Sequence, residues 1–291
     1  MFSGSHVALV TPFRNGKVDI EKLKSLVEFH IENGTDGIVP CGTSGESATL
    51  SNDEHRLVIE TVVKTARKRI KVIAGTGSNN TTEALEMTEF AKEAGSDGAL
   101  LIAPYYNRPT QEGLYLHFRK IAQEIDIPLI VYNIPSRTGI NILPETMVRL
   151  AKIKNIAGVK ESSGSMDQIS QIIMECPKEF CVLSGDDSMT LPVMAVGGKG
   201  VISVAANIVP KDVKGLVTAF SAGNVEKAKK THMKLFPLIK ALFCETNPIP
   251  VKTAMGIMGM ISGELRLPLC PLSDENLSKL KKELKDYGLM K

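Results

Sequence analysis

Along the chain, short unbroken apolar runs alternate with longer stretches in which apolar residues recur every three or four positions. The runs cover 7–10, 37–41, 72–74, 99–103, 129–132, 156–160, 181–184 and 200–204, and they predict eight strands. The stretches between them predict helices over 19–34, 52–68, 81–94, 111–125, 144–153, 166–176, 189–196 and 210–222. In the first helix Asp19 takes the N-cap, Leu23, Leu26, Val27 and Ile31 share one face, and Gly34 ends the pattern. The third turns Leu85, Met87, Thr88 and Ala91 inward, and the fifth begins with Pro144 in its first turn.

Strands that are apolar throughout, rather than on alternate residues, belong to a parallel sheet covered on both faces. Eight strand–helix units over about 220 residues have the count and size of a (β/α)8 TIM barrel. A doubly wound open sheet would carry a glycine-rich phosphate turn after its first strand, where this chain has Thr11-Pro12-Phe13. Beyond Gly223 the strand runs stop. Three helical patterns follow, over 224–243, 248–260 and 273–287, with proline-bearing breaks between them. The expected division is a catalytic barrel over 1–223 and a C-terminal helical region over 224–291.

Charge adds exclusions rather than a partner. The 35 Lys and Arg residues against 32 Asp and Glu leave +3, and no basic run is interleaved with aromatics, so nucleic acid is not expected. The five cysteines, Cys41, Cys176, Cys181, Cys244 and Cys270, form no C-x-x-C pair and read as reduced thiols. The N-terminus lacks the basic and apolar segments of a signal peptide, and no apolar window is long enough to span a bilayer. The expectation is a cytoplasmic protein with no membrane partner.

Chemistry in such a barrel sits where strands end, on the C-terminal rim. There the chain places Thr43-Ser44-Gly45-Glu46 after strand two and Tyr105-Tyr106 after strand four. Tyr132-Asn133 ends strand five, Lys160 ends strand six, and Gly185-Asp186-Asp187 follows strand seven. A lysine in an apolar setting loses its proton readily, and its neutral amine attacks carbonyl carbons to form a Schiff base. Taken alone, Lys160 could equally escape to solvent or pair with Glu161. A tyrosine on the same rim can shuttle the protons that carbinolamine formation requires. The hydroxyl-rich turn offers N–H and O–H groups to a carboxylate. Arg137, in a loop fixed by Pro135 and Gly139, can hold a second carboxylate by its planar fork.

Other motifs do not survive inspection. Gly75-Thr76-Gly77 fails as a dinucleotide loop because Asn80 holds the third glycine position, and Gly197-Gly198-Lys199-Gly200 lacks the spacing of a P-loop. The five histidines are scattered without metal-ligand spacing, so no metal is expected.

The segments Gly42-Thr43-Ser44-Gly45-Glu46, Tyr132-Asn133-Ile134-Pro135-Ser136-Arg137-Thr138-Gly139 and Gly158-Val159-Lys160-Glu161 resemble the signatures of the dihydrodipicolinate synthase family. This family belongs to the lysine-dependent pyruvate aldolases, and the resemblance runs from Val7 into the C-terminal helices. It implies condensation of pyruvate with aspartate semialdehyde, on the route to diaminopimelate and lysine, without a cofactor. Lys160 would form the Schiff base, and Thr43 and Ser44 would hold the pyruvate carboxylate. Tyr132 would relay protons, hydrogen-bonded to Thr43 and to a Tyr106 given by a neighbouring subunit. Arg137 would take the semialdehyde carboxylate, with Gly185 and Ile202 lining the pyruvate side. A homotetramer built from dimers is implied. So is a lysine-binding regulatory site at Ala48, His55, Asn79, Glu83 and Tyr105, although Asn52 stands where lysine-sensitive relatives often carry a histidine. Two other readings stand beside this one: a sister aldolase cleaving a sugar acid, and a barrel that binds a keto acid without catalysis. The arginine speaks against the first, and an intact nucleophile against the second.

Overall fold

A computed structural model describes residues 2–290. Eight parallel strands close a barrel, each hydrogen-bonded to its neighbours in sequence, with the last returning to the first. They are β1 (Gly4–Ala8), β2 (Gly37–Val39), β3 (Lys71–Gly75), β4 (Gly98–Ile102), β5 (Leu129–Asn133), β6 (Ile156–Glu161), β7 (Cys181–Ser184) and β8 (Gly200–Ser203). The surrounding helices are α1 (Ile20–Glu32), α2 (Asn52–Ala66), α3 (Thr81–Glu93), α4 (Gln111–Glu124), the single turn α5 (Pro135–Thr138), α6 (Pro144–Leu150), α7 (Met166–Glu175), α8 (Thr190–Ala195) and α9 (Pro210–Ser221). Then come α10 (Val225–Leu242), α11 (Ile249–Ile257) and α12 (Asp274–Tyr287).

Boundaries follow local chemistry. Asp19 caps α1 by accepting from Lys22 N, and Ser51 with Glu54 forms a reciprocal capping box on α2. The pattern over 52–68 stops early, at Ala66, because Arg67 and Lys68 both adopt left-handed backbone, φ 47° and 60°. On α3 it is Ala84, with Met87, Thr88 and Ala91, that is buried, and Leu85 is only half-buried. A two-stranded hairpin, Phe13–Arg14 against Lys17–Val18, lies between β1 and α1. Two residues per strand are too few to leave an alternation in the sequence.

Apolar side chains form two layers. One packs the outer faces of the strands against the helices. The other fills the barrel with Ala8, Val39, Ile73, Leu100, Ile130, Leu183 and Ile202, above Phe2 and Cys181. Among the described residues no helix is long and apolar enough to cross a membrane.

Candidate active site

The orientation of Lys160 depends on an irregularity in β6. Leu129 pairs with Ile156, but the next residue of β5, Ile130, pairs with Gly158, so Ala157 is an extra residue in the ladder. Ile156 and Val159, three apart, both belong to the outer layer, whereas strict alternation would put them on opposite faces. Lys160 therefore points into the barrel and Glu161 points out. Gly158 fits there because a Cβ would come within 2.2 Å of Cys181 O.

Lys160 is 5 % exposed, and its Nζ lies 4.2 Å from the centroid of the Tyr132 ring, its partner across the ladder. Pairing with Glu161, one of the alternatives open from the sequence, does not occur. The Glu161 carboxylate instead accepts from Asn133 Nδ2 at 3.0 and 3.2 Å, from Ser163 N at 2.6 Å and from Gln168 Nε2 at 3.3 Å. Burial pushes its pKa up, with these hydrogen bonds opposing. Gly185 makes room for the lysine: a Cβ there would stand 2.9 Å from Lys160 Cε and 1.9 Å from Ser162 Oγ. Ile202 lies in the interior layer with Tyr132.

The turn after β2 is tied on three sides. Thr11 Oγ1 donates to Gly45 O at 2.7 Å, and Gly75 lets the turn approach, since a Cβ on it would meet Cys41 O at 2.3 Å. Within the turn Gly45 N and Glu46 N bond back to Gly42 O and Thr43 O. The N–H groups of Thr43 and Ser44 have no protein partner among the described residues, which leaves them for an anion. The third tie comes from the C-terminal helices. Asn247 Nδ2 donates to Ser44 Oγ at 3.0 Å, and Asn247 O accepts from Arg137 Nη2 at 2.9 Å. Glu46 forms a fully buried ion pair with Lys252 of α11 and accepts from Arg266 N at 3.2 Å. Lys252 Nζ and Arg266 Cζ each lie 4.2 Å from the Phe13 ring centroid, and burial pulls the Lys252 pKa down while Glu46 holds it up.

Asn247 and Lys252 are absent from the residues picked out by sequence. A signal for Lys252 existed: a lysine amid Ile249, Val251, Ala254 and Met255 has the same apolar setting that singled out Lys160.

Thr43, Arg137 and Asn247 line a cavity of about 440 Å³ that extends outward to Ala48, His55, Glu83 and Tyr105. Lys160, Tyr132 and Gly185 do not line it, and Lys160 and Tyr132 are buried. Asn79 stands beside the outer part, donating to Tyr105 O at 3.1 Å. His55 Nε2 lies 2.7 Å from Gly75 O, and burial lowers its pKa. Glu83 accepts from Ser78 and Asn80 in the first turn of α3.

Two implied contacts are not made within the single chain. The Tyr132 hydroxyl has no hydrogen-bond partner among the described residues, Thr43 included. Tyr106 is 90 % exposed with φ 70°, a left-handed backbone that a bulky side chain seldom adopts, and it does not line the cavity.

This geometry has counterparts. A model of the dihydrodipicolinate synthetase family matches residues 1–287. The curated 4-hydroxy-tetrahydrodipicolinate synthase of Syntrophus aciditrophicus is 59% identical over 290 residues, covering 100% of both chains. The crystal structure of dihydrodipicolinate synthase from Aquifex aeolicus superposes with a TM-score of 0.98 at 56% identity, over 99% of each chain. That of Cyanidioschyzon merolae, solved with lysine bound, gives 0.97 at 40% identity over 99% of each.

Proposed function

The chain belongs to the dihydrodipicolinate synthetase family, and from that premise we propose that its barrel condenses pyruvate with L-aspartate 4-semialdehyde through a Schiff base on Lys160. One observation carries the reading: a buried amine faces a tyrosine ring inside the barrel, with its stem lying where a side chain at position 185 would otherwise stand. The neutral Nζ adds to the keto carbon of pyruvate, and loss of water gives the imine. Removal of a methyl proton turns the imine into an enamine, whose carbon attacks the aldehyde. The semialdehyde's own amine then closes on the imine carbon and expels Lys160 as the free amine. The imine is the electron sink throughout, so no bound cofactor enters the reading. Tyr132 moves the protons, from its place across the ladder from Lys160. Thr43 and Ser44 receive the pyruvate carboxylate on their free N–H groups and hydroxyls. Borohydride reduction in the presence of pyruvate should leave a lactyl group on the peptide containing Lys160. Label on a different lysine would sink the assignment.

Arg137 is assigned to the semialdehyde carboxylate because it lines the open cavity, held by Asn247 O. Arg137→Ala should raise the semialdehyde KM and lower kcat/KM by about 2–4 kcal/mol, as for one partner of a charged hydrogen bond. An unchanged semialdehyde KM with weakened pyruvate binding would contradict it.

The strained, exposed Tyr106 is read as completing a neighbour's site in a homotetramer built from dimers, in the cytoplasm, where unpaired cysteines persist. Sedimentation at assay concentration should show an oligomer, and a fully active monomer would refute this role. Lysine is assigned to the outer cavity at Ala48, His55, Asn79, Glu83 and Tyr105, and a relative of 40% identity has been solved with lysine bound. Glu83 suits its α-ammonium. Lysine should inhibit the wild type and inhibit Glu83→Ala less; equal inhibition of both moves the site elsewhere.

A further inference from the structure

We propose that Asn133 and Glu161 are a positioning pair that sets Tyr132 against Lys160. The proposal rests on the reading of Lys160 as nucleophile and Tyr132 as proton relay. The two pairs are successive rungs of one ladder: Tyr132 faces Lys160 inside the barrel, and Asn133 faces Glu161 on the outer side. Asn133 is fully buried and Glu161 is 1 % exposed.

Every group in the outer rung is committed. Asn133 Nδ2 is shared between both Glu161 oxygens and Asn141 Oδ1, the last at 2.8 Å. Asn133 Oδ1 accepts from Ile142 N at 3.0 Å. Gln168 closes the circuit, donating to Glu161 and accepting from Asn141 Nδ2 at 2.8 Å. All the donors that Glu161 receives are neutral. A buried carboxylate without a cation is costly, so simple cohesion of β5 and β6 does not account for it. A fully connected polar network does, however, admit one arrangement of its members, which apolar packing at that rung would not enforce.

The need for such a lock comes from the extra residue at Ala157. Below it the ladder is one residue out of phase with the rungs above, and small side chains at Ala157 and Gly158 offer little to specify the pairing. The Tyr132–Lys160 rung is therefore fixed from above, by the rung beside it. A shift of about 1 Å between reacting groups is enough to cost about 10²-fold in rate.

The test is Glu161→Gln, which keeps the shape but turns an acceptor facing the Asn133 amide into a donor. Per folded protomer, kcat and the rate of borohydride-trappable pyruvate adduct should each fall about 10²-fold, with both KM values within about twofold of wild type. Adding Asn133→Asp reverses donor and acceptor, and should recover about tenfold of the loss. If Glu161→Gln does not fold, Asn133→Ser, which removes the donors to Glu161, is read in the same way. Wild-type kcat and trapping rate in these variants would overturn the positioning role while leaving the nucleophile in place. A loss that appears in KM rather than kcat would overturn it too. Failure of the wild type itself to trap pyruvate on Lys160 would instead remove the underlying reading, and the two failures are distinguishable in one experiment.

Discussion

Lys160→Ala is expected to lower kcat/KM by about 10⁴-fold or more while leaving the fold intact, because the proposed Schiff base then loses the amine that forms it. The substitution removes a buried amine that packs 4.2 Å from the centroid of the Tyr132 ring, so the barrel loses little besides that ring contact. Circular dichroism and sedimentation should therefore match the wild type, and borohydride with pyruvate should leave the protein unlabelled. A variant that still accumulates a reduced pyruvate adduct would show that another lysine does the chemistry.

The second large effect is expected far from the reacting atoms. Lys252→Met should destabilise the chain by about 3–5 kcal/mol, because it leaves the Glu46 carboxylate buried without its cation. The pyruvate KM should rise as well, since Glu46 ends the turn that presents Thr43 and Ser44. Combining Lys252→Met with Glu46→Gln removes the stranded charge and keeps an acceptor for Arg266 N, so most of the stability should return. Urea unfolding of the two variants decides the matter. A single variant within about 0.5 kcal/mol of wild type would mean that the charge pair is not what holds this turn.

Much of this architecture was legible in the chain. The eight apolar runs announce buried parallel strands, and every residue expected on the rim lies at or just beyond a strand end. What stayed hidden has physical causes. The extra residue at Ala157 cannot be read from Ile156-Ala157-Gly158-Val159, because a run that is apolar on both faces carries no alternation to break. So the run itself does not show which of Lys160 and Glu161 faces the barrel interior. The turn Pro135–Thr138 is one helical turn with proline at its start, too short to show a period. Asn247 and Lys252 were overlooked because their segment reads as an appendage, and only three-dimensional proximity joins it to the turn after β2. Tyr106 is a different case, since the chain leaves it 90 % exposed and its proposed role needs a second subunit.

The tethers on that turn also set an order in time. Asn247 meets Ser44 across 203 residues of sequence, Lys252 meets Glu46 across 206, and Arg266 meets Glu46 across 220. Synthesis runs from the N-terminus, and all eight strands are available by Ser203. A growing chain can therefore close its barrel while the turn after β2 still lacks its anchors, with Glu46 free to keep its charge in water. The last of these anchors becomes available only once residue 266 has been made, so an emerging barrel would hold Lys160 in its interior before the turn after β2 is fully tied down.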